Sequence, residues 1–258
     1  MTASPSEDPV ILDIRGPIAT LTLNRPAVFN ALDPVIARQL PALAATVEAN
    51  ETVRVLIIRG AGPAFCAGGD IQTFAEHLDD MGPVVRELLA DLHAFLLTLR
   101  RMPQFVITSV HGAAAGAGLS LSFMGDLCIA ADTARFTAAY HKLGVSPDGG
   151  GTVGIVRAAG ARRALQIFLA QGSFTAAEGA AWGLVNEVVP AGELEAATLA
   201  LAERIARTPL HAIAATKRLV HQSSATAMAD QLDAEQEALI ACMARPDFGT
   251  AVRSFLGG

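Results

Sequence analysis

Phe105-Val-Ile-Thr-Ser-Val-His-Gly-Ala-Ala-Ala-Gly-Ala-Gly118 is the stretch on which the reading of this chain turns. Its first six residues carry no charge and are mostly branched or aromatic, as in a strand buried on both faces. Glycines at 112, 116 and 118 then break the run before a helix begins. The same grammar occurs upstream, where the apolar run 53–59 is bounded by Gly60 and Gly62 and leads into a loop over residues 60–69. Twice, a buried strand feeds a Gly-rich turn and then a helix. Backbone N–H groups at such helix starts can point at an anion or a developing oxyanion, and the alternation puts the chain in the α/β class.

Working outward, residues 10–14 and 18–23 flank Gly16-Pro17 and predict an antiparallel hairpin. Asp33-Pro34 supplies an N-cap and a first helical residue for a helix to about residue 49, in which Pro41 predicts a kink or an early break. A long helix ends near Arg100 and Arg101, stopped by Pro103. Thr175-Ala-Ala-Glu178 is a capping box and marks a helix start. From residue 192 the chain reads as almost wholly helical, punctuated by Thr208-Pro209 and Arg245-Pro246.

Composition narrows the class. A chain of 258 residues makes one large domain or a domain with an appendage. Nineteen Lys and Arg against 25 Asp and Glu, a net charge of -6, lack the basic footprint of a nucleic-acid binder. With 52% hydrophobic and only 17% charged residues, surface is expected to be buried between subunits as well as within one. Cys66, Cys128 and Cys242 are odd in number and widely spaced, favouring neither disulfides nor a metal site. Residues 1–9 are polar and acidic, unlike a secretory signal, so a cytoplasmic location is expected. Residues 105–125 lack ionised side chains but hold His111, three serines and four glycines, which fits a strand, turn and helix better than a membrane span.

Familiar catalytic motifs fail. There is no phosphate-binding G-x-x-x-x-G-K-[ST], Gly116-Ala-Gly118-Leu-Ser-Leu lacks the third glycine of a dinucleotide fingerprint, and Gly118-Leu-Ser120-Leu-Ser122 is not a nucleophile elbow. What remains is a combination: Leu23-Asn-Arg-Pro26, Phe29-Asn-Ala-Leu32, Phe65-Cys-Ala-Gly-Gly-Asp-Ile71, His111-Gly-Ala-Ala-Ala-Gly-Ala-Gly118, Ser146-Pro-Asp-Gly-Gly-Gly-Thr152 and Ala180-Ala-Trp-Gly-Leu-Val185. In this order, over nearly the whole chain, they resemble the enoyl-CoA hydratase/isomerase (crotonase) family. The resemblance implies a spiral of repeated ββα units over residues 1–195, with a helical region over 196–258 used to form trimers or dimers of trimers.

It also implies that the N–H groups of Gly69 and Ala117 form an oxyanion hole for the thioester carbonyl of an acyl-CoA, with no cofactor beyond the CoA of the substrate. Small residues suit that task, because they let the backbone approach and a fixed donor contributes on the order of 3 kcal/mol. By the same resemblance CoA lies along Ala64, Cys66, Ala67, Gly68, Asp70 and Ile71, and Asp70 also caps the following helix. Family members often carry a Lys just after the Arg-Pro pair, where this chain has Ala27 and Val28. Phosphate contacts are therefore expected to be fewer, or to be supplied by Arg25 and by Arg253 of the partner subunit.

Family hydratases use two glutamates; at those positions this chain has Ser120 and Tyr140, which are read as substrate contacts. One carboxylate is left, Asp148, where relatives that shift double bonds carry an aspartate for proton transfer. The pattern is nearest to phenylacetate-degradation isomerases, with Gln231-Leu-Asp-Ala-Glu-Gln, Pro246-Asp-Phe-Gly and Val252-Arg-Ser-Phe-Leu256 also similar. Isomerisation with Asp148 as acid/base is the expectation. Hydration, acyl-CoA binding without chemistry, and aromatic dehalogenation by Asp148 with His93 are the alternatives. The acyl group is not readable from Phe74, Leu78 and the 76–83 loop, and His111 and His141 are assigned to structure.

Overall fold

A computed structural model describes residues 8–248 and Val252; Arg253 and the last residues of the 196–258 region lie outside the described part. Strands β1 (Val10–Arg15) and β2 (Ile18–Leu23) form the expected antiparallel hairpin. Helix α1 (Pro34–Glu48) follows, and β3 (Val55–Gly60) then pairs in parallel with β2. Helices α2 (Ile71–Glu76) and α3 (Met81–Arg101) lead to β4 (Phe105–Val110), parallel to β3. After β5 (Ala113–Ala115) and α4 (Ala117–Ser122), β6 (Leu127–Ala131) joins β4. Strand β7 (Arg135–Thr137), helix α5 (Gly151–Leu165), β8 (Ser173–Thr175), α6 (Ala176–Ala181) and β9 (Glu187–Val189) complete the spiral. The main sheet has the order β1-β2-β3-β4-β6-β9, and β5-β7-β8 form a second sheet.

The central strands are buried because both inner positions and outer ones are apolar: in β3, Val55, Leu56 and Ile58 are fully covered. Helices α1 and α3 pack on each other through apolar residues at helical spacing, Ile36, Leu40, Ala44 and Val47 against Leu88, Leu92, Phe95 and Leu99. That packing explains one departure from expectation. Helix α1 runs through Pro41 without breaking. A proline inside a helix costs roughly 3 kcal/mol, whereas each large apolar side chain buried contributes about 1.5–3 kcal/mol, so a well-covered face tolerates it. Asp33 caps this helix through Ile36 N at 2.9 Å, and Thr175 with Glu178 forms the predicted capping box on α6.

The second sheet begins where a plain Gly/Ala turn was expected. Residues 113–115 pair with 135–137, and Gly116 N donates to Thr137 O at 3.0 Å. Helices α7 (Leu194–Ala206), α8 (Leu210–Gln222) and α9 (Met228–Met243) follow, and a further helix begins at Pro246. Helix α7 lies on β2, β3, β4 and β6, with Leu194, Leu201 and Ala202 in the main core. By contrast α8 buries Ile213 and Lys217 and α9 only Ala238, leaving Val220, Met228, Leu239 and Ile240 exposed. Among the described residues no helix is long and apolar enough to cross a membrane.

Candidate active site

The site is built where the two Gly-rich turns meet. Asn30 starts it, in a left-handed conformation (φ 58°) and fully buried. Its Nδ2 donates to the carbonyls of Ala61 (2.9 Å), Ala64 (2.7 Å) and Phe65 (3.2 Å), while its Oδ1 accepts from Arg25 N at 2.8 Å. One side chain thus fixes the first turn. Residues 29–32 then stitch to it: Ala67 N donates to Phe29 O (2.9 Å), Leu32 N to Gly68 O (2.7 Å) and Asp70 N to Leu32 O (2.9 Å). On the other side Cys66 N donates to Ala113 O (3.1 Å) and Ala115 N to Cys66 O (2.9 Å), which joins the first turn to the second.

Glycine is required at Gly68, where φ is +93° and a Cβ would lie 2.7 Å from Ala115 O and 3.2 Å from Ala117 N. The backbones of the two turns are therefore in contact. Ala117 is the first residue of α4, so its N–H has no acceptor within the helix. Among the described residues, neither Gly69 N nor Ala117 N donates in any turn, loop or cap bond. The half-buried Phe74 ring lies over Gly69; a Cβ there would fall 2.6 Å from it. Asp70 caps α2 through Gln72 N at 3.0 Å, as expected.

Arg25 is held inside this frame. Its Nη1 donates to Ala31 O (2.9 Å) and pairs with Asp33 (2.9 Å) and Asp70 (3.2 Å). Ala64, Cys66, Gly68 and Asp70 are buried, Ala67 is half-buried, and Ile71 is 57% exposed.

A third loop supplies Asp148. Gly149 (φ 57°) and Gly150 (φ 77°) turn the chain from Asp148 into α5, and a Cβ on Gly149 would approach Ser120 Cβ to 3.2 Å. Those glycines let Asp148 dock against α4. Tyr140 arrives from a short 3-10 turn, Ala139–Leu143, and its hydroxyl donates to Asp148 Oδ1 at 2.7 Å. Ser120 Oγ donates to the Asp148 carbonyl at 2.8 Å and lies 2.9 Å from the Tyr140 hydroxyl. The two residues read as substrate contacts are thus both turned onto Asp148, and both are buried.

Burial raises the Asp148 carboxyl above the ordinary value of 3.8; the Tyr140 hydrogen bond and, more weakly, His93 act against that rise. Tyr140 itself is pushed far up by burial and by the Asp148 charge, so its phenol stays protonated. Burial, with a smaller contribution from Asp148, pushes the Cys66 thiol up to about 12, which removes it as a nucleophile. His93 is exposed and lines a cavity of about 930 Å³ with Leu97, Met124, Gly150 and Val153. His111 Nε2 bonds Gly62 O at 2.8 Å, and His141 packs near Gly172.

Sequence reading quoted Asn30 within a motif but gave it no task; a small amide after Arg-Pro, placed to satisfy three carbonyls of a distant turn, was the available signal. It also passed over a half-buried carboxylate outside these loops. Asp126 pairs with Lys217 (2.8 Å) and His221 (3.0 Å) and accepts from Val106 N (2.8 Å). Lys217 donates further to Leu99 O (2.8 Å) and Gln104 O (2.9 Å). No group of three metal-ligating side chains occurs among the described residues.

The chain is similar to known proteins over nearly its whole length. The chain is 32% identical over 251 residues to the 1,2-epoxyphenylacetyl-CoA isomerase of Escherichia coli, covering 96% of this chain and 95% of that one. It is 31% identical to the trans-2-decenoyl-[acyl-carrier-protein] isomerase of Streptococcus mutans, covering 95% and 94%. A Thermobifida fusca protein solved in complex with CoA superposes with a TM-score of 0.84 at 32% identity, covering 92% and 93%. The enoyl-CoA hydratase/isomerase family pattern matches residues 13–257, and with two Gly-rich turns in backbone contact, the chain belongs to that crotonase family.

Proposed function

We propose that this chain shifts the double bond of an enoyl-CoA. The thioester oxygen accepts from Gly69 N–H and Ala117 N–H, so that negative charge developing on it as an enolate is held by donors that need no reorganisation. Ionised Asp148 takes a proton from one carbon of the acyl chain and returns it to another two positions away. Atoms and charge balance without an added reactant. The reaction is redox-neutral and needs no cofactor beyond the CoA of the substrate.

One observation carries the reading. Where paired glutamates would activate water there are Ser120 and Tyr140, neither a carboxylate and both bonded to Asp148, leaving one acid/base group. Hydration by a water activated some other way is the competing outcome. Purified protein offered 3-enoyl-CoA and 2-enoyl-CoA separately distinguishes the cases: conjugation raises thioester absorbance, hydration of the 2-enoyl substrate abolishes it, and binding alone changes neither. Loss of 2-enoyl absorbance with formation of a 3-hydroxyacyl product overturns the isomerase reading.

The exposed apolar residues of α8 and α9 support assembly into trimers or paired trimers, since they are too apolar to stand alone in water. Light scattering is expected to give a multiple of three; a clean monomer at micromolar concentration contradicts it. Cys66 and Cys128 are buried free thiols, in keeping with a reducing, cytoplasmic setting.

A further inference from the structure

Three oxygen pairs lie close together beside the α5 start: Ser120 Oγ with Asp148 O at 2.8 Å, Ser120 Oγ with Tyr140 Oη at 2.9 Å, and Tyr140 Oη with Asp148 Oδ1 at 2.7 Å. Each such contact needs a proton between its oxygens to be attractive. Ser120 and Tyr140 supply one proton each, and the Asp148 carbonyl supplies none. With Asp148 ionised, two protons serve three contacts, and one pair of oxygens faces each other bare. With Asp148 neutral the count closes: its carboxyl donates from Oδ1 to Tyr140, Tyr140 donates to Ser120, and Ser120 donates to the Asp148 carbonyl.

We propose that the Tyr140 hydroxyl is a positioning group that follows the charge of Asp148, donating to Ser120 when Asp148 is a neutral acid and to Oδ1 when Asp148 is a base. Ser120 and Tyr140 then act on Asp148 in opposite senses. Tyr140 is the donor that favours the ionised form; Ser120 is the acceptor that rewards Tyr140 for turning away and so favours the neutral form. Among the described residues the other titratable groups acting on Asp148 are His93 from α3 and Cys66 from the first Gly-rich turn, and neither is hydrogen-bonded to it. The direction of the Asp148 shift, upward through burial, agrees with a network completed by the neutral acid.

This inference rests on Asp148 as the acid/base, so its test separates the two ideas. The acid limb of kcat/KM against pH is measured for the wild type, Tyr140→Phe and Ser120→Ala, each lacking a single oxygen. Tyr140→Phe is expected to move the limb to higher pH and Ser120→Ala to lower pH, with unchanged circular dichroism. A second readout needs no activity: the carboxyl ¹³C resonance of Asp148, assigned by its disappearance in Asp148→Asn, should titrate with the same opposite displacements. Limbs and resonances that stay put, or move in the same direction, overturn this positioning role of Tyr140 while an inactive Asp148→Asn keeps the reaction assignment intact. An active Asp148→Asn overturns the reaction assignment itself, and the resonances still report on the hydrogen-bond network.

Discussion

Asp126 and Asp148 are both carboxylates taken largely out of water, yet their surroundings push them in opposite directions. Burial raises each. At Asp126 the His221 hydrogen bond, the Lys217 charge and the Val106 amide more than reverse the rise, and the carboxyl sits below its ordinary value. At Asp148 one phenol and the residue's own amide, with a weaker contribution from His93, do not, and the carboxyl stays above it. The first is an anion bound for good inside a set of donors, tying α8 to the start of β6. The second is left short of donors beside two idle amides. In the proposed reaction, partial satisfaction suits a group that gains and loses a proton.

The contrast can be tested by removing each charge. Asp148→Asn is expected to bind acyl-CoA and to lose on the order of 10² to 10⁴ in turnover, the weight of positioned acid/base catalysis, with little loss of stability. Asp126→Asn leaves the Lys217 ammonium buried and unpaired, and should cost about 3–5 kcal/mol in denaturant unfolding. If Asp126→Asn abolishes turnover while leaving unfolding unchanged, the division between the two carboxylates is wrong.

The pH dependence of stability should separate them too. Asp126, lowered when folded, contributes stability that is present above its unfolded value of 3.8 and lost as pH falls through its folded value. Asp148, raised when folded, has the reverse sign: its contribution is full below 3.8 and is lost as pH rises through its folded value. Asp148→Asn should therefore melt higher than the wild type at neutral pH, and the gain should vanish in acid. A constant difference across that range would show that Asp148 is not shifted by folding.

The smallest effect is expected at His93. It is the weakest of the influences that favour ionised Asp148, so His93→Ala should move the acid limb of kcat/KM upward by less than Tyr140→Phe does. Complete loss of activity in His93→Ala would instead point to the dehalogenase-like pairing and break the comparison.

Much of this was legible in the residues. The hairpin around Gly16, the caps at Asp33, Asp70 and Thr175, and the buried runs of β3 and β4 follow from local chemistry, and the structure has them all. The early break considered at Pro41 does not occur, because the proline's penalty is local whereas the α1–α3 packing that overrides it is not. The two Gly-rich turns and Asp148 were legible as candidates, since Gly-rich motifs declare where backbone can approach closely. The wiring of the site was not. Nothing in the spacing of residues 120, 140 and 148 says that a serine, a tyrosine and an aspartate share protons, and nothing near Asp126 announces a lysine 91 positions later.

The order β1-β2-β3-β4-β6-β9 in the main sheet repeats the order of the chain, with β5, β7 and β8 diverted to the second sheet. A nascent chain leaving the ribosome therefore finds, for each new strand, the edge of the previous one already waiting, and never has to hold open a gap for a strand still to come. Asn30 meets the carbonyls of residues 61, 64 and 65 early in that sequence, and the second Gly-rich turn closes once β7 has emerged. The contacts that join the two Gly-rich turns thus involve residues 25–137 alone, all of them ahead of Tyr140 and Asp148 in the chain.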